Sequence, residues 1–366
     1  MPEAPRRVAV WRSAMLPASE TFIRNQADNL TRWRPVYVGA TKVESTLARD
    51  TDLIAYPSPA DRRPFLRLRL TGSSPRLRLL LAGAEPDLVH AHFGGDGWLV
   101  SGETKRVGVP LVVTLHGHDV TRQPLSPGAH GLRYRRNLRA VFQRADLLIA
   151  VSEVIRQKAI GWGADPAKVR VHHTGVPVPA SVPSAGKRWD VAFVGRFVEK
   201  KGADDLIAAL AALGSAKAIL IGDGPLLPEI RSYAARAGTD ATFTGAQPAS
   251  EVYRLLAESR VLAAPSKTAA DGDTEGLPTT IVEAAALGLP AVSTVHSGIP
   301  EAVLDGETGL LGPEGDREAL TANLRKLLDD DTLRVTMGER ARAHAEANFN
   351  VATQSRRLED LYDALL

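Results

Sequence analysis

The chain has 366 residues, 44% of them apolar, and carries 45 Lys and Arg against 42 Asp and Glu for a formal net charge of +3. Such a length sets a prior of about two domains, and the composition is that of a globular protein able to build a core without cross-links. The lack of cysteine excludes disulfides, thiolate metal sites and cysteine nucleophiles, and suits a reducing compartment. Residues 1–12 show no signal-peptide apolar region, and no run reaches the roughly 18 apolar residues that cross a bilayer. A cytoplasmic location is therefore expected. The charge is uneven: residues 1–180 hold 26 Lys and Arg against 15 Asp and Glu, net +11, and the remainder 19 against 27, net −8. Such a split predicts different partners for the two halves. No nucleic-acid-binding motif accompanies the basic half.

In chain order, the first half alternates β-rich runs (8–11, 36–39, 53–56, 88–91, 111–115, 147–151 and 169–172) with helical patterns such as 21–30 and 154–160. A Pro-, Ser- and Ala-rich linker is expected over 177–186. The series then resumes at 191–194, 218–221, 241–243, 261–264, 291–294 and 309–311, with helices at 204–213 and 317–328. Strand–helix alternation of this kind predicts an α/β fold of two doubly wound parallel-sheet, Rossmann-like domains facing a cleft. Ligands are then expected at the C-terminal strand ends.

Several of those strand ends carry chemistry. Arg12 to Phe22 follows the first strand and lacks the Gly-x-Gly-x-x-Gly dinucleotide loop; Ser19 reads as the N-cap of the next helix. His90-Ala91-His92-Phe93-Gly94 leads into a glycine-eased turn, and Leu115-His116-Gly117-His118-Asp119 closes another strand. Metal binding by either histidine pair is the weaker reading, because a third ligand is missing. His118 is the better contact candidate, with Asp119 orienting it or capping the turn.

Two arginine-rich segments, 61–80 and 131–144, interleave Arg with Leu and Phe. Together they favour peripheral contact with an anionic membrane over solvated helix faces.

In the second half, Gly195-Arg196-Phe197-Val198-Glu199-Lys200-Lys201-Gly202 follows a strand and offers a guanidinium fork and an ammonium to a diphosphate. Gly222-Asp223-Gly224-Pro225 is a further strand-end turn. Thr244-Gly245-Ala246-Gln247 offers backbone groups to a nucleobase, although a plain turn is the favoured reading there. Glu275-Gly276-Leu277-Pro278-Thr279-Thr280-Ile281-Val282-Glu283 then opens a helix from about Pro278 or Thr279 to Leu287, with Gly288 beyond it. The N–H groups of Thr279, Thr280 and Ile281 would hold a phosphate, and Glu275 and Glu283 would hold hydroxyl groups.

This order of motifs, His116 to Asp119, Gly195-Arg196 to Lys201-Gly202, Gly222 to Pro225 and the paired Glu275 and Glu283, strongly resembles the GT-B retaining glycosyltransferases of glycosyltransferase family 4. Ser19-Glu20-Thr21-Phe22-Ile23 and His90-Ala91-His92-Phe93-Gly94 resemble its exopolysaccharide branch, of the colanic-acid and amylovoran type. The resemblance implies an N-terminal acceptor-side domain over 1–180, a nucleotide-sugar domain over 181–348, and a terminal helix over 349–366 crossing back to the first domain.

It further implies a metal-independent hexosyltransferase (EC 2.4.1.-) with no cofactor and a UDP- or GDP-sugar donor. Arg196 and Lys201 would bind the diphosphate, Glu283 the ribose and Glu275 the sugar. Gly195, Gly224, Gln247, Gly276, Leu277, Thr279 and Thr280 would complete the donor site. His118 joins Arg196, Lys201 and Glu275 as catalytic, and Ser19, Thr21, His92, Gly94, His118 and Asp119 mark the acceptor side. The acceptor would be a glycan or lipid-linked glycan at the inner face of the cytoplasmic membrane. A departure stands at Ser13 to Thr21, where many relatives carry a Gly-Gly loop.

The chemistry this suggests is front-face transfer, with the leaving diphosphate stabilised by cations and taking the acceptor's proton. The competing readings are an epimerase or phosphorylase, a non-catalytic sugar-nucleotide-binding protein, and transfer to a small-molecule acceptor. A nicotinamide-dependent oxidoreductase is disfavoured by the absent glycine fingerprint.

Overall fold

A computed structural model describes residues 5–182 and 186–366. Residues 183–185 of the expected linker lie outside the described residues, as do residues 1–4. The chain divides into two compact units: Met1–Gly175 with Val351–Leu366, and Val176–Asn350.

The first unit is built on a parallel sheet of seven strands: β1 (Arg6–Met15), β2 (Trp33–Lys42), β3 (Leu53–Ile54), β4 (Leu88–His92), β5 (Leu111–Leu115), β6 (Leu147–Ala150) and β7 (Val169–Val171). Their spatial order is β3-β2-β1-β4-β5-β6-β7. All five residues of β5 are buried, as expected of a parallel strand covered on both faces. The order reverses direction between β1 and β4, so a crevice is expected at the C-terminal ends of those two strands.

The second unit repeats the plan with six strands: β8 (Trp189–Val194), β9 (Ala218–Ile221), β10 (Ala241–Gly245), β11 (Ser259–Ala264), β12 (Ala291–Thr294) and β13 (Gly309–Gly312). The order β10-β9-β8-β11-β12-β13 puts its reversal between β8 and β11. Phe193 and Phe197 anchor the core here with Leu206, Ile207 and Leu210 of the Ala203–Leu213 helix. Two Rossmann-like parallel sheets make the predicted α/β architecture.

Two expectations fail locally. β1 does not stop at Trp11 but continues to Met15, pairing with β2 as far as Met15↔Lys42. Its added polar residues are satisfied by Asp96, which accepts from the Ser13 N–H at 2.6 Å and from its hydroxyl at 2.7 Å. The glycine-rich segment after His92 is not a flexible turn; the 14-residue helix Gly94–Val107 starts there directly. Close packing explains its first glycine, since a Cβ on Gly94 would lie 2.6 Å from Leu138.

The last helix, Val351–Asp363, belongs to the first unit, with Leu358 and Tyr362 in the same core as Val8, Val10 and Trp33. Its fully buried Glu359 accepts the backbone N–H groups of Thr31 and Arg32 at 2.6 Å each, and that of Trp33 at 3.1 Å. Among the described residues, no helix is long and apolar enough to cross a membrane.

Candidate active site

Beyond β8 the chain enters Gly195-Arg196-Phe197 and then the short 3-10 turn Glu199–Lys201. Gly202 ends that turn at a φ of +63°, where a Cβ would lie 1.9 Å from the Pro265 carbonyl oxygen, so only glycine fits. The turn folds the Lys201 stem back over Gly195, whose Cβ position lies 3.4 Å from Lys201 Cδ. Lys201 Nζ then sits 2.8 Å from Glu275 Oε1. The lysine read as a mobile point charge is thus already paired, and its partner is the carboxylate assigned to the sugar.

Glu275 is buried, and Ser266 Oγ donates to the same oxygen at 3.1 Å. Burial pushes its carboxyl upward, but the charges of Lys201 and Lys200, with hydrogen bonds from Lys201 and Ser266, outweigh it and hold it down at about 2. The Glu275 main chain is also fixed. Its N–H donates to His296 Nε2 at 3.1 Å, and its carbonyl accepts from Ser297 Oγ at 2.6 Å. Gly276 and Leu277 follow in buried positions.

The next helix runs Thr279–Ala286, capped by Pro278 without a side-chain bond. Ile281 N–H turns back to the Pro278 carbonyl at 3.1 Å, which narrows the expected trio of N–H donors to Thr279 and Thr280. Glu283, half-buried one turn along, makes no hydrogen bond or ion pair among the described residues. Burial raises its carboxyl to about 7. Arg196 is exposed and has no partner among the described residues.

At the rim, Gly224 packs against Phe197, where a Cβ would lie 2.6 Å from the Phe197 carbonyl oxygen. Gln247 spends its amide on the Thr244 carbonyl at 2.9 Å, which makes it a brace of its own turn.

In the first unit, the crevice at β1 and β4 holds a cavity of ≈ 650 Å³, lined in part by Arg12, Phe93, Gly94, His118, Asp119 and Tyr134. His118 is half-buried against Phe93, at 5.1 Å between ring centroids, and its ring nitrogens have no bond among the described residues. Asp119 is consumed by structure: one oxygen accepts the Gly94 N–H at 2.9 Å, the other those of His116 at 3.1 Å and Gly117 at 2.9 Å. It therefore joins two loops and does not orient His118.

Three acceptor-side expectations sit away from this cavity. His92 is 2% exposed, with Nδ1 bonded to His116 Nε2 at 3.0 Å, and burial first, then neighbouring positive charge, keeps both rings far below the usual histidine range. Ser19 is not the N-cap. Glu20 holds that place without a side-chain cap bond, because its carboxylate is drawn back to Arg12 Nε at 2.7 Å. Thr21 starts the Thr21–Asp28 helix half-buried, away from the cavity lining. Among the described residues, no three His, Cys, Asp or Glu side chains converge as a metal site would need.

Sequence reasoning missed Arg12, Asp96, Ser266, His296 and Ser297. The last two are the second and third residues beyond β12, so the strand-end rule applied to Thr294-Val295-His296-Ser297 would have found them.

Two nucleotide-fold units with a cation–carboxylate pair at the second crevice describe a glycosyltransferase of the GT-B fold, and comparison with known proteins agrees. Residues 178–344 match the family "Glycosyl transferases group 1", and residues 19–178 match "Glycosyltransferase Family 4". The chain is 33% identical to the protein of Salmonella typhimurium named as the colanic acid biosynthesis glycosyltransferase WcaL, over 76% of this chain and 71% of that one. To the amylovoran biosynthesis glycosyltransferase AmsK of Erwinia amylovora it is 31% identical, over 76% and 70%. A crystal structure of Anabaena HepE in complex with UDP has the same fold, with a TM-score of 0.78 at 21% identity over 98% of this chain and 100% of that one. The chain belongs to glycosyltransferase family 4, in the exopolysaccharide branch.

Proposed function

We propose that the protein moves a hexosyl group from a UDP- or GDP-sugar to a hydroxyl of a glycan or lipid-linked glycan in polysaccharide biosynthesis, retaining the anomeric configuration. The observation that carries this reading is the Lys201–Glu275 pair, together with Arg196 and Glu283, which have no partner among the described residues, in the second unit. Arg196, Lys201 and the Thr279 and Thr280 N–H groups bind the diphosphate and stabilise the charge that develops as it leaves. Glu283 accepts from the ribose hydroxyls, and Glu275 accepts from a hydroxyl of the transferred sugar.

With these cations supplying the positive charge, the reaction runs without a metal. The leaving phosphate takes the acceptor's proton, since each carboxylate at the site has another assignment. His118 serves the acceptor side from the cavity of the first unit. The names of WcaL and AmsK support polysaccharide synthesis, and UDP in the HepE structure supports a nucleotide donor.

Thermal-shift screening against UDP- and GDP-sugars, followed by NMR of the product's anomeric proton in the presence of EDTA, tests the reading. Stabilisation by one nucleotide class, turnover in EDTA and a retained anomer are expected. An inverted product, dependence on metal, or binding without even slow donor hydrolysis would overturn it.

The basic face of the first unit supports a peripheral contact with anionic lipid on the cytoplasmic side. Leu66, Leu70, Leu79 and Leu132 are all more than half exposed, at 51%, 52%, 73% and 63%. Arg67 and Arg69, whose side chains have no partner among the described residues, stand beside the first two. Apolar side chains flanked by arginines suit a lipid surface better than open water.

A further inference from the structure

The second unit holds Glu275 by its backbone as well as by its carboxylate, and the two residues that hold the backbone, His296 and Ser297, come from one segment just beyond β12. Thr294 ends β12, and its hydroxyl donates to the carbonyl of Ser266, the residue whose own hydroxyl reaches the Glu275 carboxylate. Next but one, His296 accepts the Glu275 N–H at Nε2. A backbone N–H can only donate, so Nε2 carries no hydrogen and the proton lies on Nδ1, which faces Glu314 Oε1 at 2.7 Å.

Glu314 is fixed in turn, its other oxygen accepting the Thr268 N–H at 2.7 Å. Ser297 completes the grip by donating to the Glu275 carbonyl at 2.6 Å. To do so it adopts a φ of +47°, a left-handed conformation that a non-glycine residue rarely takes without compensation. His296 is 2% exposed and Glu275 6%, so neither bond has water as a ready substitute.

We propose that His296 and Ser297 are positioning residues for sugar recognition. They clamp the N–H and C=O of Glu275, with Glu314 fixing the histidine tautomer, so that the free edge of the Glu275 carboxylate meets the sugar at one angle. This rests on the reading of Glu275 as the sugar-binding carboxylate. Lys201 and Ser266 bond Oε1, which leaves Oε2 for a hydroxyl. The bonds from Lys201 and Ser266 restrain the side-chain torsions, and pinning the peptide on both sides fixes the Cα from which those torsions start, so the two sets of bonds together set the angle of the carboxylate.

The test compares affinities of the full-length protein for UDP against UDP-glucose and for GDP against GDP-mannose, using the pair that binds. Loosening Glu275 must weaken the sugar-bearing ligand more than the bare nucleotide. For His296→Ala we expect about a tenfold loss in the preference for the sugar-bearing ligand, with nucleotide affinity unchanged. His296→Gln, whose amide oxygen can accept the same N–H, should recover most of it.

Ser297→Gly separates positioning from mere packing. Glycine relieves the positive φ while removing the hydroxyl, so the melting temperature should hold or rise as the preference falls. A parallel fall of nucleotide affinity, sugar preference and melting temperature in both His296→Ala and Ser297→Gly would overturn the clamp. So would an unchanged preference in them while Glu275→Gln loses it. An unchanged preference in Glu275→Gln itself would overturn the reading on which the clamp rests, and the clamp with it.

Discussion

The two sheets reverse their strand order in the same way, yet their crevices differ in what has been left unspent. At the first, every nearby carboxylate is used internally: Glu20 and Asp96 on Arg12, and Asp119 on three backbone N–H groups. At the second, Arg196 and Glu283 have no partner among the described residues, and Glu275 keeps Oε2 clear of its bonds to Lys201 and Ser266. A buried ionisable group without partners is costly unless a ligand completes it. The fold therefore places two crevices, and the unspent groups single out the one suited to a polar, anionic ligand. At the first crevice, His118 is the side chain whose ring has no hydrogen-bond partner among the described residues, and it is the one assigned above to the acceptor.

The contrast breaks most sharply at Lys201. Lys201→Ala should lower the transfer rate about a thousandfold, the scale seen when a transition-state charge loses its stabiliser, and steady-state rates would check it. It should also destabilise the fold, since Glu275 is left buried without its cation, a loss on the order of 3 kcal/mol. The sign with pH is fixed by the depressed carboxyl. A group lowered from 4.5 to about 2 stabilises above the higher value and loses that contribution as pH falls through the lower. The stability gap between wild type and Lys201→Ala, measured by urea unfolding, should accordingly narrow from pH 5 towards pH ~2.

Asp96→Ala tests the other crevice. It uncouples Arg12 and strips Ser13 of its partner, so a stability loss of about 3 kcal/mol is expected with nucleotide affinity unchanged. A selective loss of nucleotide binding would show that the first crevice also takes part in holding the donor.

A smaller effect is expected at Glu283. With its carboxyl raised from 4.5 to about 7 by burial, the charged form opposes folding as pH rises between those values. Glu283→Gln should gain stability at pH 8 relative to pH 4, by at most the ~3 kcal/mol that the full shift carries and by less where solvent reaches the half-buried carboxylate. If ribose hydroxyls donate to the carboxylate form, wild-type nucleotide affinity should rise from pH 6 to 8 in calorimetry, and Glu283→Gln should flatten that rise. The smallest change concerns lipid: replacing Arg67, Arg69, Arg76 and Arg78 by Gln should weaken binding to phosphatidylserine vesicles about tenfold in low salt, and by less as added salt screens the attraction. Arg76 is already paired with Asp61 at 2.7 Å and should contribute least.

Most of the strand framework was legible because parallel strands buried on both faces are short apolar runs; 111–115, 218–221 and 291–294 coincide with β5, β9 and β12. The failures cluster where a tertiary partner overrides a local preference. Ser19 is a good N-cap by type, but the helix start follows Glu20, whose carboxylate answers Arg12. Glycines 94, 95 and 97 read as a turn, whereas Gly94 in fact lets a helix approach Leu138. At the second crevice, residue types at strand ends pointed to Arg196, Lys201, Glu275 and Glu283. Pairing of Lys201 with Glu275 spans 74 positions of sequence and is set by the packing of Gly202 on Pro265, which no local pattern records.

The buried Glu359 has a consequence for synthesis. Thr31, Arg32 and Trp33 leave the ribosome early, but the carboxylate that satisfies their N–H groups is made more than 300 residues later. Residues 176–350, the whole second unit, are translated in between. The unit that begins first must therefore finish last, waiting with three donors and the core places of Leu358 and Tyr362 unfilled while its neighbour folds. A nascent chain arrested before residue 351 should show a protease-resistant second unit and a still-cleavable first one.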